Sequence, residues 1–218
     1  SFKTIIDAIL FYASCPKCVS CQDRLLRHEK AICDKCMTEY LEIKKRNCSI
    51  CARTLDKCTC TNRYLDNYYV HKLIKVYRYI KRESLPSNDL IYSLKRSNRK
   101  DVLNFLRDEL SAAIDNSLTI DESIIFTNVP RRKHEAKKYG LDHAAALSRS
   151  LAKHYSAKYY QPIIAKSKKP QKKTVGAERI ENAKFKIKRK PKTLEGKTVI
   201  IVDDVVTTGA SMVACAKL

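Results

Sequence analysis

The 218-residue chain has room for one sizeable α/β core and a small appendage, taking roughly 100–200 residues per domain. Its 44 Lys/Arg against 23 Asp/Glu give a formal charge of +21, a balance that points to polyanionic partners and away from an ordinary neutral enzyme. No run of about 18 apolar residues occurs, which excludes a membrane-spanning helix.

Phe2 to Tyr12 is predicted to be a short amphipathic helix with Ile5, Ile6, Ile9 and Leu10 on one face. It carries Lys3 and Asp7 and lacks a signal-peptide cleavage pattern, so a cytoplasmic location is expected. The sequence does not begin with Met and stops at Leu218 inside a predicted helix; it reads as a fragment lacking a last strand and helix. Nine of its ten cysteines lie between Cys15 and Cys60. That compositional boundary predicts a cysteine module over residues 1–62 and an α/β domain over residues 63–218.

Within the second part, Tyr68 to Ile80 alternates partly between apolar and basic residues, the pattern of a half-buried strand or hairpin. A helix is predicted from an Asp101 cap, its apolar face made by Val102, Leu103, Leu106, Leu110, Ala113 and Ile114. Ser123 to Val129 reads as a strand ending at Pro130, and Leu141 to Tyr155 as a helix with Asp142 near its cap. Gln161 to Ala165 is a weaker strand; Thr198 to Val202 is continuously apolar, as in a parallel strand covered on both faces. Strands separated by helices imply a parallel α/β domain. Lys166 to Lys192 is too polar for core and reads as a solvated loop or basic segment. Between Arg131 and Lys197 there are 21 Lys/Arg and five Asp/Glu, so most of the net charge lies in this part.

The cysteine spacings are Cys18-x2-Cys21, Cys33-x2-Cys36, Cys48-x2-Cys51 and Cys58-x-Cys60. Short turns offering two thiolates each suit tetrahedral zinc, and two turns close a four-thiolate site. The expected sets are Cys18, Cys21, Cys33 and Cys36 for one ion, and Cys48, Cys51, Cys58 and Cys60 for another. Cys15 competes with Cys21 through an equally good Cys15-x2-Cys18, and the Cys58/Cys60 pair is tighter than usual. A disulfide framework is the alternative; the missing signal peptide and the attached α/β domain favour zinc in a structural role.

The most informative segment is TVIIVDDVVTTGAS, Thr198 to Ser211. An apolar strand ends at Val202, Asp203 and Asp204 follow, and Val205 to Ser211 turn into a helix. Hydroxyls of Thr207, Thr208 and Ser211, with backbone N–H groups near Ala210, suit a phosphate that Gly209 lets approach. Carboxylates at the carboxyl end of a parallel strand can accept hydrogen bonds from ribose hydroxyls or help hold Mg²⁺. No glycine-rich loop ends in Gly-Lys-Ser/Thr, which argues against a P-loop nucleotidase.

VIIVDDVVTTGAS resembles the phosphoribosyl diphosphate motif of type I phosphoribosyltransferases, and its combination with a double cysteine module resembles the ComF competence family. NVPRRKHEAKKYGLDHA, Asn128 to Ala144, is similar to that family's strand, Val-Pro turn and helix; Gln171, Arg179 and Asn182 match its basic flexible loop. Departures are Tyr139 before Gly140, Asp142-His143 after it, and Lys168. The resemblance implies a type I phosphoribosyltransferase-like fold behind a zinc-ribbon-like module, binding phosphoribosyl diphosphate with Mg²⁺. Asp203 and Asp204 would serve the ribose, Val205 to Ser211 the phosphate, and Arg131, Arg132, Lys133, Gln171 and Arg179 the diphosphate. It also implies a role in DNA uptake. A non-catalytic alternative is a zinc-dependent protein that binds single-stranded DNA or a helicase-type partner, with Tyr64, Tyr68, Tyr69, Tyr77 and Tyr79 as stacking candidates.

Overall fold

The computed structural model of the chain describes residues 5–6, 16–48, 53–54, 60, 70–77, 79, 84–97, 99–131, 142–166, 185–188 and 194–218. The chain divides into two compact units, Ser1–Lys57 with Val76–Asp108, and Cys58–Lys75 with Glu109–Leu218. No helix among the described residues is long and apolar enough to cross a membrane.

The first unit is built on helices α1 (Asp34–Lys45) and α2 (Pro86–Ser97) and the first half of α3 (Lys100–Asp115). On α1, Cys36, Tyr40 and Ile43 recur at helical spacing and are buried. Tyr40, fully buried, meets the rings of Tyr77 and Phe105 edge-on at 5.6 and 5.4 Å. Helix α2 opens on Pro86, whose missing N–H costs nothing in a first turn. Its Leu90, Ile91 and Leu94 form the buried stripe. Residues 5 and 6 are helical and exposed.

The second unit holds a three-stranded parallel sheet in the order β2 (Lys158–Tyr159), β1 (Ile124–Asn128), β5 (Thr198–Val202). A separate antiparallel pair joins β3 (Ile163–Ala165) to β4 (Phe185–Ile187). The middle strand β1 is buried at all five positions. On β5, which borders the sheet among the described residues, Val199 stays 38% exposed, so the expected cover on both faces holds for β1 and not along β5.

Helix α4 (His143–His154) lays His143, Ala144, Ala145, Leu147, Ser148, Leu151 and Ala152 inward, and Ser148 Oγ donates to Thr127 O at 2.9 Å. Phe126 stacks on Tyr155 with centroids 5.8 Å apart. The short helix α5 (Ala210–Ala216) places Cys215 against Val129 and Ile163, and Val213 against Leu73.

Two expectations are corrected. The described residues of the Tyr68–Ile80 stretch, 70–77 and 79, contain no strand. Their apolar side chains plug holes instead of forming a ladder: Val70 and Leu73 pack on Val213, and Tyr77 packs on Tyr40 with its hydroxyl buried. Tyr77 is half-buried, its ring set edge-on against the core residue Tyr40. The lysine-rich tract contains β4, where Phe185 and Ile187 are half-buried and Lys186 between them is exposed.

Candidate functional site

In the first unit, a turn closed by a bridge between Lys17 and Arg24 carries Cys18 and Cys21. The Cys18 N–H donates to Asp23 O at 2.8 Å, and Gln22 takes φ 65° to complete the bend. The second thiol pair sits at the start of α1, Cys33 being its N-cap and Cys36 lying in its first turn. The four Sγ atoms of Cys18, Cys21, Cys33 and Cys36 lie within 4.8 Å of one another. Cys21 and Cys33 are 3.6 Å apart. Zn–S bonds of about 2.3 Å put tetrahedral thiolates roughly 3.8 Å apart, so the donor set fits zinc.

Burial opposes ionisation of Cys18, but N–H groups of Cys33, Cys21 and Ser20 outweigh it and hold that thiol below its ordinary value. Burial and hydrogen bonds from its thiol neighbours push Cys36 up to about 11. A divalent cation, which takes thiolates, would replace such protons.

Two side chains remote in sequence grip this turn: Ser20 Oγ donates to Asp89 Oδ2 at 2.8 Å, and an Arg99 guanidinium nitrogen donates to Lys17 O at 2.8 Å. At separations of 69 and 82 residues, no sequence signal marks them.

Of the second expected set, Cys48 and Cys60 are described, while Cys51 and Cys58, like the competitor Cys15, lie outside the described residues. Around Cys48 the described residues repeat the pairing pattern that flanks the first turn. Asn47 bridges Thr54 as Lys17 bridges Arg24, and the Cys48 N–H donates to Arg53 O at 2.7 Å, the same offset as Cys18 to Asp23.

In the second unit, β1 and β5 run in parallel with Asn128 beside Val202, so their carboxyl ends share one rim. The Val129 N–H donates to Val202 O at 3.0 Å and prolongs the pairing by one step. Asp203 and Asp204 follow β5; Asp203 Oδ1 accepts the N–H of Asp204 at 2.9 Å. Arg131, three residues beyond β1, reaches across so that its guanidinium lies 2.7 Å from Asp204 Oδ2. The side chains are 17% and 9% exposed.

Asp142 caps α4 by accepting the Ala145 N–H at 3.1 Å, while its other oxygen accepts the Arg131 N–H at 3.3 Å. Beneath the rim, fully buried Asn128 accepts from Tyr159 Oη at 2.8 Å and Gln161 Nε2 at 2.7 Å. Thr127 Oγ1 donates to Gln161 Oε1 at 3.1 Å.

Beyond the acids, Val205, Val206, Thr208 and Ser211 are half-buried, Thr207 is exposed, and Gly209 and Ala210 are buried. Gly209 holds φ 78°, a left-handed conformation in which a Cβ costs roughly 1–2 kcal/mol. Thr208 Oγ1 accepts the Ala210 N–H at 3.3 Å. Burial, reinforced by the Asp203 carboxylate, pushes the Cys215 thiol up to about 12, as for a packed core cysteine.

The structure thus brings Asp203, Asp204, Arg131 and the Val205–Ser211 turn to one rim. Arg132, Lys133, Gln171 and Arg179 lie outside the described residues. Asp142 and Asn128 were legible as a cap and a strand end, but their hold on the rim depends on partners distant in sequence.

Residues 137–218 match the family model described as the phosphoribosyl transferase domain. No curated protein matches the chain, and no solved structure matches it.

Proposed function

We propose that the α/β half binds phosphoribosyl diphosphate with Mg²⁺ at the shared carboxyl rim of β1 and β5, and transfers the phosphoribosyl group to a nitrogen nucleophile. The observation that carries this reading is the placement of Asp203 and Asp204 at the end of a parallel strand, running straight into the Thr207–Ser211 turn, inside the stretch that matches the phosphoribosyl transferase domain. Asp203 and Asp204 accept hydrogen bonds from the ribose hydroxyls, the turn takes the 5′-phosphate, and Arg131 faces the diphosphate with Arg132, Lys133, Gln171 and Arg179. The C1–O bond to diphosphate breaks as the N–C1 bond forms. Mg²⁺, when bound, neutralises charge on the leaving group, and the chain's own part is positioning and electrostatic stabilisation.

Calorimetry with phosphoribosyl diphosphate and Mg²⁺ should give a Kd of about 1 mM or tighter, near 4 kcal/mol of binding. Asp203→Asn/Asp204→Asn should abolish that heat; a silent wild type, or unchanged binding in the double variant, defeats the reading.

The same reading extends to the whole chain as a cytoplasmic protein of the ComF kind. Residues 1–62 form its cysteine module, with structural zinc at Cys18, Cys21, Cys33 and Cys36. The bridge and hydrogen bond that Cys48 shares in pattern with Cys18 support a second ion on Cys48, Cys51, Cys58 and Cys60.

A second reading, binding of single-stranded DNA during DNA uptake alongside a helicase-type partner, is favoured by the charge of +21 and one surface feature. Tyr92, 39% exposed, hydrogen-bonds Tyr79 through their hydroxyls at 2.7 Å, with the Arg96 guanidinium 5.8 Å from its ring centroid. Aromatic and cationic groups so placed suit stacked bases and phosphates. Anisotropy with a labelled oligonucleotide should show binding that weakens steeply with salt; its absence at micromolar protein removes this reading.

A further inference from the structure

Strand β2 stops pairing with β1 for a reason written in the sequence. The parallel ladder sets Ile125 beside Lys158 and Phe126 beside Tyr159, and its last backbone bond runs from the Tyr160 N–H to Phe126 O at 2.9 Å. Donors recur at every second residue along such a ladder, so the next would be residue 162, facing Asn128 O. That residue is Pro162, which has no N–H. A buried carbonyl left without a donor is costly, and Asn128 is fully buried.

The donor comes from one residue earlier. Gln161 Nε2 donates to Asn128 O at 2.8 Å and to Asn128 Oδ1 at 2.7 Å, engaging both of its N–H groups. Its Oε1 accepts from Thr127 Oγ1 at 3.1 Å and from the Ile163 N–H at 3.2 Å. The Ile163 N–H decides which way the amide faces, because the reversed orientation would oppose two donors. The side-chain amide thus takes the place of the peptide group that Pro162 interrupts, while the main chain departs into β3, where Ile163 packs against Val129.

From Asn128 the contact reaches the rim. Asn128 Nδ2 donates to Val129 O at 3.1 Å, and towards the other neighbouring strand the Val129 N–H donates to Val202 O at 3.0 Å. The strand end from which Pro130 and Arg131 continue is therefore held by β5 on one side and by the Gln161 amide on the other. We propose that Gln161 is a positioning residue for the candidate site: its amide stands in for the missing Pro162 N–H, prolongs the β2–β1 ladder by one step and fixes the path of Val129 to Arg131. This inference rests on the phosphoribosyl diphosphate reading and adds to it a residue that acts through Asn128.

The test is calorimetry on the full chain with Mg²⁺ and phosphoribosyl diphosphate, with a melting transition recorded for each variant. Gln161→Glu keeps the size of the side chain and sets a carboxylate against Asn128 O and Oδ1. Gln161→Met removes the donors and the acceptor together, and carries the test alone should the first variant not fold. At about pH 8, and at a temperature where every protein is folded, either variant should bind about tenfold more weakly than the wild type, since misplacement of a contact group is costly. The two facing oxygens raise the pKa of the introduced carboxyl, which gains an O–H donor as pH falls. The affinity gap to wild type at the same pH should therefore narrow towards about pH 6 for Gln161→Glu and stay constant for Gln161→Met. Variants that melt lower but bind like the wild type would make Gln161 a staple of the fold alone and overturn the inference while the ligand reading stands; so would a Gln161→Glu gap that does not change with pH. If the wild type itself gives no binding heat, the ligand reading falls and takes the positioning role with it.

Discussion

The cysteine turns and the acidic rim hold their functional groups by opposite means. In the first unit three of the four thiols are part of the core: Cys18, Cys33 and Cys36 are at most 8% exposed while Cys21 is exposed, and Cys33 doubles as the cap of α1. In the second unit Asp203 and Asp204 stand outside the buried core, beyond the end of β5, with buried β1 and the Asn128 network beneath the rim. Loss of ligand at the first site should therefore cost structure, and loss of a residue at the second should cost binding first.

The largest expected effect follows from the first half of that contrast. Structural zinc contributes on the order of 10 kcal/mol to small metal-held folds. Chelation, or Cys36→Ser, should release the metal and unfold the cysteine turns together with the first turn of α1. The check is metal content by mass spectrometry alongside far-ultraviolet circular dichroism. Helical signal that survives complete metal removal would break the contrast, because the thiols would then be passengers on a self-sufficient core.

A smaller effect is expected beneath the rim. Asn128→Ala removes the acceptor for Tyr159 and Gln161 in a fully buried place, leaving donors unsatisfied at roughly 1–3 kcal/mol. Urea denaturation should show a lower midpoint for the α/β half with an unchanged slope. Ligand affinity should also fall, because Val129 to Arg131 start from this residue. A variant destabilised without loss of affinity would show that the network supports the sheet and does not aim the rim.

How far these features were legible depends on whether their cause is local. Strand β1, helix α4 with its Asp142 cap, strand β5 and the turn at Gly209 each follow from nearby residues: a β-rich apolar run, a capping carboxylate before an apolar stripe, a glycine where φ is positive. Helix α2 was missed because its apolar residues, Leu90, Ile91 and Leu94, are few and flanked by polar ones; Pro86 at its start was the available signal. Strand β4 was missed because Phe185 and Ile187 are only two inward positions in a lysine-rich run. β2, two residues long, has no period to read. At the site, the acids announced themselves, but the Arg131–Asp204 pair spans 73 residues and the Asn128–Gln161 bonds span 33, distances over which only the sheet brings partners together.

The smallest effect tests whether the turn that bears Cys18 also depends on charge outside the cysteine region. Arg99, which donates to Lys17 O, pairs with Asp101 in the first turn of α3. Burial raises the Asp101 pKa, but the Arg99 hydrogen bond and charge, with the Val102 N–H, outweigh it and hold the carboxyl below its ordinary 3.8. A depressed folded pKa means stability that is present above the unfolded value and lost as pH falls through the folded one. With side chains 26% and 36% exposed, solvent screening limits the pair to at most about 1 kcal/mol. Asp101→Asn should therefore lower the melting temperature of the first unit slightly at pH 7, and the gap to wild type should close as pH drops below about 4. A gap that persists undiminished at low pH would mean that Asp101 acts through the helix N-terminus by shape and hydrogen bonding, and that the grip of Arg99 on the cysteine turn does not depend on its charged partner.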